Sequence, residues 1–138
     1  MRSAVVDASF TAAWFLSDEA TLETEAALEA TASFDLWVPA LWTLELGNLL
    51  ISAQRRKRIT EAKRTELAEV ADLLRLKIDR EPVAIARLDK LAALYDLTTY
   101  DAAYLELAIR RELPLATFDK ALLKAMKTVS VNYAQFAK

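Results

Sequence analysis

Short apolar runs alternate with longer segments of helical periodicity along the 138-residue chain. The apolar runs predict strands at residues 3–6, 36–38, 78–81 and 114–117, with a last candidate at 128–131. Between them, the spacing of apolar positions predicts helices at residues 9–17, 21–32, 41–56, 60–77, 83–95, 100–111 and 120–127. This alternation is typical of a parallel sheet covered on both faces. We therefore predict an α/β fold with a central, mainly parallel sheet of four to five short strands.

Residues suited to helix ends fit these boundaries. Thr60, Thr99 and Asp119 are predicted N-caps, because their side-chain oxygens can accept from a free backbone N–H. Pro82 is expected in the first turn of the fifth helix, where its missing N–H costs no hydrogen bond. No repeat, low-complexity tract or Pro/Gly/Ser-rich linker interrupts the sequence. Residues 1–138 are therefore predicted to form a single domain.

No targeting or membrane segment is expected. Asp7 interrupts the N-terminus before a signal-peptide apolar region can form. The apolar run at residues 8–16 is too short and too mixed to cross a bilayer. The default prediction is a cytoplasmic protein that does not contact a membrane.

Two absent residue types and the scarcity of a third restrict the possible chemistry. The chain has no cysteine and no histidine, so thiol nucleophiles, Cys-ligated zinc and an imidazole base are excluded. Gly47 is the only glycine, which excludes glycine-rich phosphate-binding loops. Carboxylate chemistry remains, and its natural partner is a hard, oxygen-binding cation such as Mg²⁺ or Mn²⁺.

Two acids occupy positions that a solvated helix face does not explain. Asp7 directly follows the first strand, and in open α/β sheets ligands bind outside the carboxyl ends of strands. The alternative for Asp7 is an N-cap of the next helix. Glu45 lies on an apolar helix stripe with Leu41 and Leu49, where a carboxylate is costly unless it is paired or binds a metal. The alternative for Glu45 is a salt bridge at the edge of that stripe.

Two further acids have the same double interpretation. Asp101 begins a helix on a face shared with Tyr104 and Leu105, and its alternative is an acid stabilised by the helix dipole. Asp119 follows the strand at 114–117, and its alternative is the N-cap role. Taken together, the four acids could hold Mg²⁺ and form a metal-dependent nuclease or phosphohydrolase. Thr117 precedes Asp119 by two residues and could orient a carboxylate or a water molecule with its hydroxyl.

At these residues the sequence resembles a known family. Four segments carry the resemblance, in the family's order and spacing: residues 5–9, 38–50, 97–105 and 113–119. They resemble the PIN-domain ribonucleases, and specifically the VapC toxins of bacterial and archaeal toxin–antitoxin pairs. The resemblance covers essentially the whole chain and implies a PIN-like three-layer fold.

The resemblance also implies a function and a site. It implies a hydrolase that cleaves RNA with Mg²⁺ or Mn²⁺, is inhibited by a cognate antitoxin protein, and commonly forms a homodimer. By the same resemblance, the family's acidic metal-binding quartet matches Asp7, Glu45, Asp101 and Asp119. A hydroxyl position beside the quartet matches Thr117.

Three positions depart from the family's pattern. Family members often carry glycine at or near the places occupied here by Lys57, Asp96 and Glu112. Helix ends often use glycine in the left-handed conformation, which other residues adopt at some cost. The departures therefore concern the loops and leave the quartet unchanged.

The chain has one dense basic run and a net charge of −2. This run could hold RNA phosphates against the acidic site, or it could be a solvated helix C-terminus that the dipole favours. It consists of Arg55, Arg56, Lys57 and Arg58. Arg110 and Arg111 have the same two interpretations at another helix end, with the structural one favoured.

The tryptophans also have two interpretations. Trp14, Trp37 and Trp42 could stack on bases, but their apolar neighbours favour core or interface positions.

Two alternatives to the nuclease hypothesis belong to other classes. A receiver-like signalling domain would share the acidic rim, but such domains have two adjacent acids after the first strand, whereas Asp7 is followed by Ala8 and Ser9. A stable aspartyl phosphate formed with a small phosphodonor would identify it. A catalytically idle binding protein that keeps the fold would instead show no binding of millimolar Mg²⁺.

Overall fold

A computed structural model describes residues 2–136 of the chain. The four strands of this part are β1 (Arg2–Val6), β2 (Phe34–Pro39), β3 (Lys77–Asp79) and β4 (Leu115–Ala116). Its seven α-helices are α1 (Ala8–Ala12), α2 (Leu22–Ala30), α3 (Trp42–Arg55), α4 (Glu61–Asp72), α5 (Ile85–Tyr95), α6 (Thr99–Arg111) and α7 (Lys120–Thr128). A single 3₁₀ turn, Ser17–Glu19, lies between α1 and α2.

The strands form one parallel sheet in the order β3-β2-β1-β4. Val5 of β1 is level with Trp37 on one side and with Leu115 on the other. Ala4, Val5 and Val6 are completely buried. Because consecutive strand residues point to opposite faces, both faces of β1 are covered. The prediction of an α/β fold with a parallel central sheet of four short strands between helices is confirmed.

Several predicted helix boundaries are wrong. The first helix ends at Ala12, and the fourth ends at Asp72 rather than at residue 77. Residues 77–79 pair instead with residues 37–39 of β2, and this edge strand ends the helix early. Pro82 lies before the first turn of α5, which begins at Ile85.

Two further details differ from the sequence prediction. The cap of α6 is Thr98 rather than Thr99, because the hydroxyl of Thr98 accepts from the N–H of Asp101. The predicted strand at 128–131 does not form. Thr128 is the last residue of α7, and the chain next touches the sheet through a single bridge between Leu115 and Tyr133.

The tryptophans support the core, as expected. Trp42 is 6% exposed, and its indole N–H donates to Thr11 Oγ1 at 2.9 Å. The indole N–H of Trp14 donates to the carbonyl of Thr24 at 2.8 Å. Trp37 is partly buried against the core. None of these rings is arranged as an exposed platform for bases.

The three positions at which the family often has glycine adopt left-handed backbone conformations. The φ angles of Lys57, Asp96 and Glu112 are 61°, 55° and 54°. At the end of α6, the N–H of Leu113 donates to the carbonyl of Ala108 at 2.9 Å, closing the helix as a glycine cap usually does. The loops therefore keep the conformation that glycine favours, with side chains that adopt it less readily.

Glu112→Gly is expected to raise the free energy of unfolding by about 0.5–1 kcal/mol. Relief of the left-handed strain exceeds the added chain entropy of glycine. Urea denaturation measures the change. Glu69→Gly is the matched control, since Glu69 lies exposed inside α4. This replacement should lower the free energy of unfolding by about 1 kcal/mol. Equal losses in the two variants would contradict the prediction.

No helix within residues 2–136 is both long and apolar enough to span a lipid bilayer.

Candidate metal centre

The structure brings all four acids of the sequence hypothesis to one cavity of about 290 Å³. Asp7 directly follows β1, and Asp119 follows β4 after two intervening residues. Glu45 and Asp101 lie in the first turns of α3 and α6. Because β1 and β4 are parallel neighbours, their carboxyl ends open at the same edge of the sheet. Four separate segments of the chain therefore contribute one carboxylate each.

Asp7 is the most buried of these acids, with 3% of its surface exposed. Its Oδ1 accepts from the Ser9 hydroxyl at 2.8 Å and from the N–H of Phe10 at 2.9 Å, and its Oδ2 accepts from the Thr117 hydroxyl. Burial raises the pKa of the Asp7 carboxyl, while these hydrogen bonds oppose the rise. Asp7 is thus both the N-cap of α1 and a wall of the cavity, so its two interpretations are compatible.

Glu45 is held by a residue that the site hypothesis did not include. The hydroxyl of Tyr104, which is 1% exposed, donates to Glu45 Oε1 at 2.7 Å. Burial raises the pKa of Glu45, the bond from Tyr104 lowers it, and the charge of Asp7 raises it. The available sequence signal was that Tyr104 shares a helix face with Asp101, three residues away.

Asp101 experiences the repulsion within the cavity most directly. Burial and then the negative charges of Asp119, Asp7 and Glu45 raise its pKa from 3.8 to about 6. None of the described residues that line the cavity is lysine or arginine. The cavity therefore concentrates negative charge without a cationic side chain to balance it.

Asp119 also has two roles. Its Oδ2 accepts from the N–H of Leu122 at 2.8 Å, which caps α7, and its own N–H donates to Thr117 Oγ1 at 2.9 Å. Thr117 is 1% exposed and contacts both Asp7 and Asp119. Its hydroxyl therefore links the carboxylate of Asp7 to the backbone N–H of Asp119.

The ligand atoms that the cavity offers are of the type that a hard cation prefers. The cavity is lined by carboxylates, the Ser9 hydroxyl and the Asn48 amide, which can all offer oxygen ligands. Within residues 2–136, no three His, Cys, Asp or Glu side chains are grouped closely enough to hold an ion between them. Mg²⁺ commonly takes only one or two carboxylates and keeps several waters, and it is rarely enclosed by protein ligands alone. Separated acids around a cavity are therefore compatible with Mg²⁺ binding.

The basic run lies at the end of the helix that carries Glu45. Glu45, Asn48 and Ser52, on successive turns of α3, line the cavity. The basic run begins at Arg55, about one turn after Ser52. Arg55, Arg56 and Lys57 are exposed. Arg58 differs from them, because its guanidinium pairs with Asp18 and Glu19, each at 2.8 Å.

Arg110 and Arg111 form a structural network away from the acidic cavity. Arg110 pairs with Glu106 at 2.9 Å and with Asp79 at 3.0 Å, and Arg111 pairs with Asp79 at 2.8 Å. The Arg111 guanidinium also lies 3.7 Å from the centre of the Trp37 ring. This arginine pair therefore has a structural role, but in a partly buried ion-pair network rather than as the solvated helix end that the sequence predicts. The buried acids Asp79 and Glu106 were not identified from the sequence.

Comparisons with known proteins agree with this architecture. The fold is similar to the crystal structure of PAE2754 from Pyrobaculum aerophilum, with a TM-score of 0.68 and 22% sequence identity over 90% of this chain and 79% of that chain. At this identity the similarity shows the fold alone. A comparison with curated protein sequences finds no match. The sequence profile of the PIN domain matches residues 4–127, and the chain therefore belongs to the PIN domain family.

Proposed function

We propose that this protein is an endoribonuclease that depends on Mg²⁺ or Mn²⁺ and cleaves phosphodiester bonds at the acidic cavity. PIN domains are typically metal-dependent nucleases, and the family suggests an RNA substrate. The observation that carries the proposal is the meeting of Asp7, Glu45, Asp101 and Asp119 in one cavity without a cationic side chain. Carboxylates that share a cavity repel one another, and a bound cation would relieve this repulsion.

The hydrogen bonds of the cavity prepare its carboxylates as ligands. Tyr104 holds Oε1 of Glu45, and the N–H of Leu122 holds Oδ2 of Asp119. The other oxygen of each group makes no hydrogen bond within residues 2–136. Thr117 and Ser9 hold both oxygens of Asp7 and fix its position. A divalent ion bound here supplies charge neutralisation and a more acidic water molecule.

Binding of RNA to a negatively charged cavity needs positive charge nearby. The exposed residues Arg55, Arg56 and Lys57 follow the cavity-lining Ser52 by about one helical turn. We propose that they contact the phosphates of the substrate, which would make binding weaken as salt is raised. Arg58 has a structural role in this proposal, because it is already paired with Asp18 and Glu19, two acids of the 3₁₀ turn.

The proposal is tested by incubating the purified protein with a mixture of unstructured RNA oligonucleotides. Cleavage is expected with Mg²⁺ or Mn²⁺, should stop when EDTA is in excess, and should return when Mn²⁺ exceeds the chelator. A metal-free reaction supplies the baseline. Cleavage that is equally fast in EDTA would overturn the proposal. Absence of cleavage under every condition would instead support the idle binding protein.

We also propose the narrower role suggested by the sequence motifs. This role is that of a VapC-type toxin, acting in the cytoplasm as a homodimer and inhibited by a cognate antitoxin. It rests on the resemblance of residues 5–9, 38–50, 97–105 and 113–119 to that group. Membership of the PIN domain family argues against the receiver-like alternative.

A further inference from the structure

We propose that a groove between α3 and α4 binds one nucleotide of a single-stranded RNA, next to the phosphate that is cleaved. This inference rests on the proposed nuclease function and adds a binding site for the substrate's flanking base. The groove has a volume of about 820 Å³, which is ample for a nucleotide.

The groove is continuous with the acidic cavity. Glu45 and Asn48 line both of them, so one turn of α3 forms their common wall. Tyr100 lies on the groove and Asp101, the next residue, lies on the cavity. An RNA strand with a phosphate at the acids can therefore place a neighbouring nucleotide against this wall. The groove is the space available on that side.

The groove is lined largely by apolar side chains, among them Leu44, Leu50 and Ile51, and these are joined by an aromatic ring and polar groups. Tyr100 is 60% exposed, so the face of its ring is accessible to a ligand. Base stacking on such rings tolerates any sequence, because every base has a flat face. The Asn48 amide and the Thr43 hydroxyl can donate to and accept from a base edge or a ribose.

Arg64 supplies the positive charge of the groove. Its Nε–H donates to the side-chain oxygen of Gln54, which fixes the orientation of the guanidinium. Its two Nη groups make no hydrogen bond within residues 2–136. A guanidinium held in this way suits a phosphate oxygen. This charge and the continuity with the acidic cavity favour a nucleotide over an apolar protein segment, although the exposed Leu44 also lines the groove.

Gly47 gives independent support from the middle of α3. Glycine lowers helix stability, and this is the only glycine of the chain. A Cβ built at Gly47 would meet nothing within 4 Å, so packing inside the protein does not require glycine there. Gly47 does line the groove. Its missing side chain keeps the wall open for a ligand.

The test separates binding of the flanking nucleotide from the chemical step. Tyr100→Ala is expected to raise KM for single-stranded RNA about tenfold while kcat changes less than twofold, since a lost base stack weakens binding by about that factor. Tyr100→Phe should keep the wild-type KM because the ring is retained. Gly47→Leu should raise KM similarly and leave the protein at least as stable in urea, since leucine is the better helix former.

Two exposed residues of α5 give matched controls. Ile85→Ala and Arg87→Ala remove an exposed apolar group and a charge outside the groove and should leave KM unchanged. If Asp7→Asn abolishes cleavage while Tyr100→Ala and Gly47→Leu keep the wild-type KM, the nucleotide site is wrong and the groove is left for a protein partner. If Asp7→Asn cleaves RNA normally, the nuclease site itself is wrong.

Discussion

Asp101→Asn is expected to lower metal-dependent RNA cleavage by about 10²-fold or more while making the metal-free protein more stable. The loss of activity follows from removing one of four carboxylates that border the proposed metal site, where electrostatic contributions to catalysis are large. Cleavage rates at saturating Mg²⁺ measure it. A variant that keeps the wild-type rate would remove Asp101 from the site.

The gain in stability has a separate cause, and its sign follows from the pKa. Burial and the charges of Asp119, Asp7 and Glu45 raise the pKa of Asp101 to about 6 in the folded protein, above its ordinary 3.8. The folded state therefore binds the proton more tightly, and stability falls as pH rises from about 4 to 6. Asparagine carries no charge and avoids this loss. Allowing for solvent screening, we expect a gain of about 1–2 kcal/mol at pH 7.

Urea denaturation in EDTA measures the gain. The difference between Asp101→Asn and the wild type should shrink as pH falls through 4 and vanish toward pH 3, below the ordinary pKa of 3.8, where Asp101 is protonated in the folded and mostly protonated in the unfolded state. Glu61→Gln is the matched control, since Glu61 is an exposed acid in the first turn of α4. Its replacement should change the stability by less than about 0.5 kcal/mol. A loss of stability in Asp101→Asn at pH 7 would mean that the cavity does not hold repelling charges.

Asp79→Ala is expected to lower the free energy of unfolding by about 2–4 kcal/mol without changing the acidic cavity. The side chain of Asp79 is 3% exposed and accepts from Arg110 at 3.0 Å and from Arg111 at 2.8 Å. Its removal leaves two partly buried guanidinium groups without their shared partner, which costs more than the ion pairs themselves contribute. The network ties β3 to the end of α6.

The Asp79 network also predicts the response to acid. Burial raises the pKa of Asp79, but the hydrogen bonds from Arg110, Arg111 and the Glu81 N–H outweigh it and lower the pKa to about 2. The stability that Asp79 contributes is therefore complete above about pH 4 and is lost as pH falls toward 2. Asp79→Ala should show a smaller loss of stability between pH 4 and pH 2 than the wild type. Asp89→Ala, at an exposed position of α5, should keep the wild-type slope. Equal slopes in all three proteins would contradict the assignment.

The sequence was most informative where function and local structure depend on neighbouring residues. Asp7 follows a run of apolar residues that becomes the central strand, and its place at the strand's carboxyl end was predictable from that run. Glu45 was conspicuous because it interrupts an apolar stripe. The cap at Thr60 needs only the next three residues, and it forms as predicted.

The features that were missed depend on residues far apart in the chain. Tyr104 and Glu45 are 59 positions apart, and Arg110 and Asp79 are 31 apart. Periodicity indicates which face of a helix a residue occupies, but not what lies opposite that face. The groove between α3 and α4 was missed for the same reason. Its shape depends on how two helices pack, which neither helix's own sequence determines.

The order of the strands has a consequence for how the protein is made. β1 is the first strand to be synthesised, yet one of its two neighbours in the sheet is β4, the last. Thr117, whose hydroxyl reaches Asp7, is 110 residues away from it along the chain. While the polypeptide is still being translated, the earlier strands and helices can emerge from the ribosome without their fourth carboxylate. Under the proposed nuclease function, RNA cleavage is therefore expected to begin only after synthesis has passed Asp119 and β4 has docked.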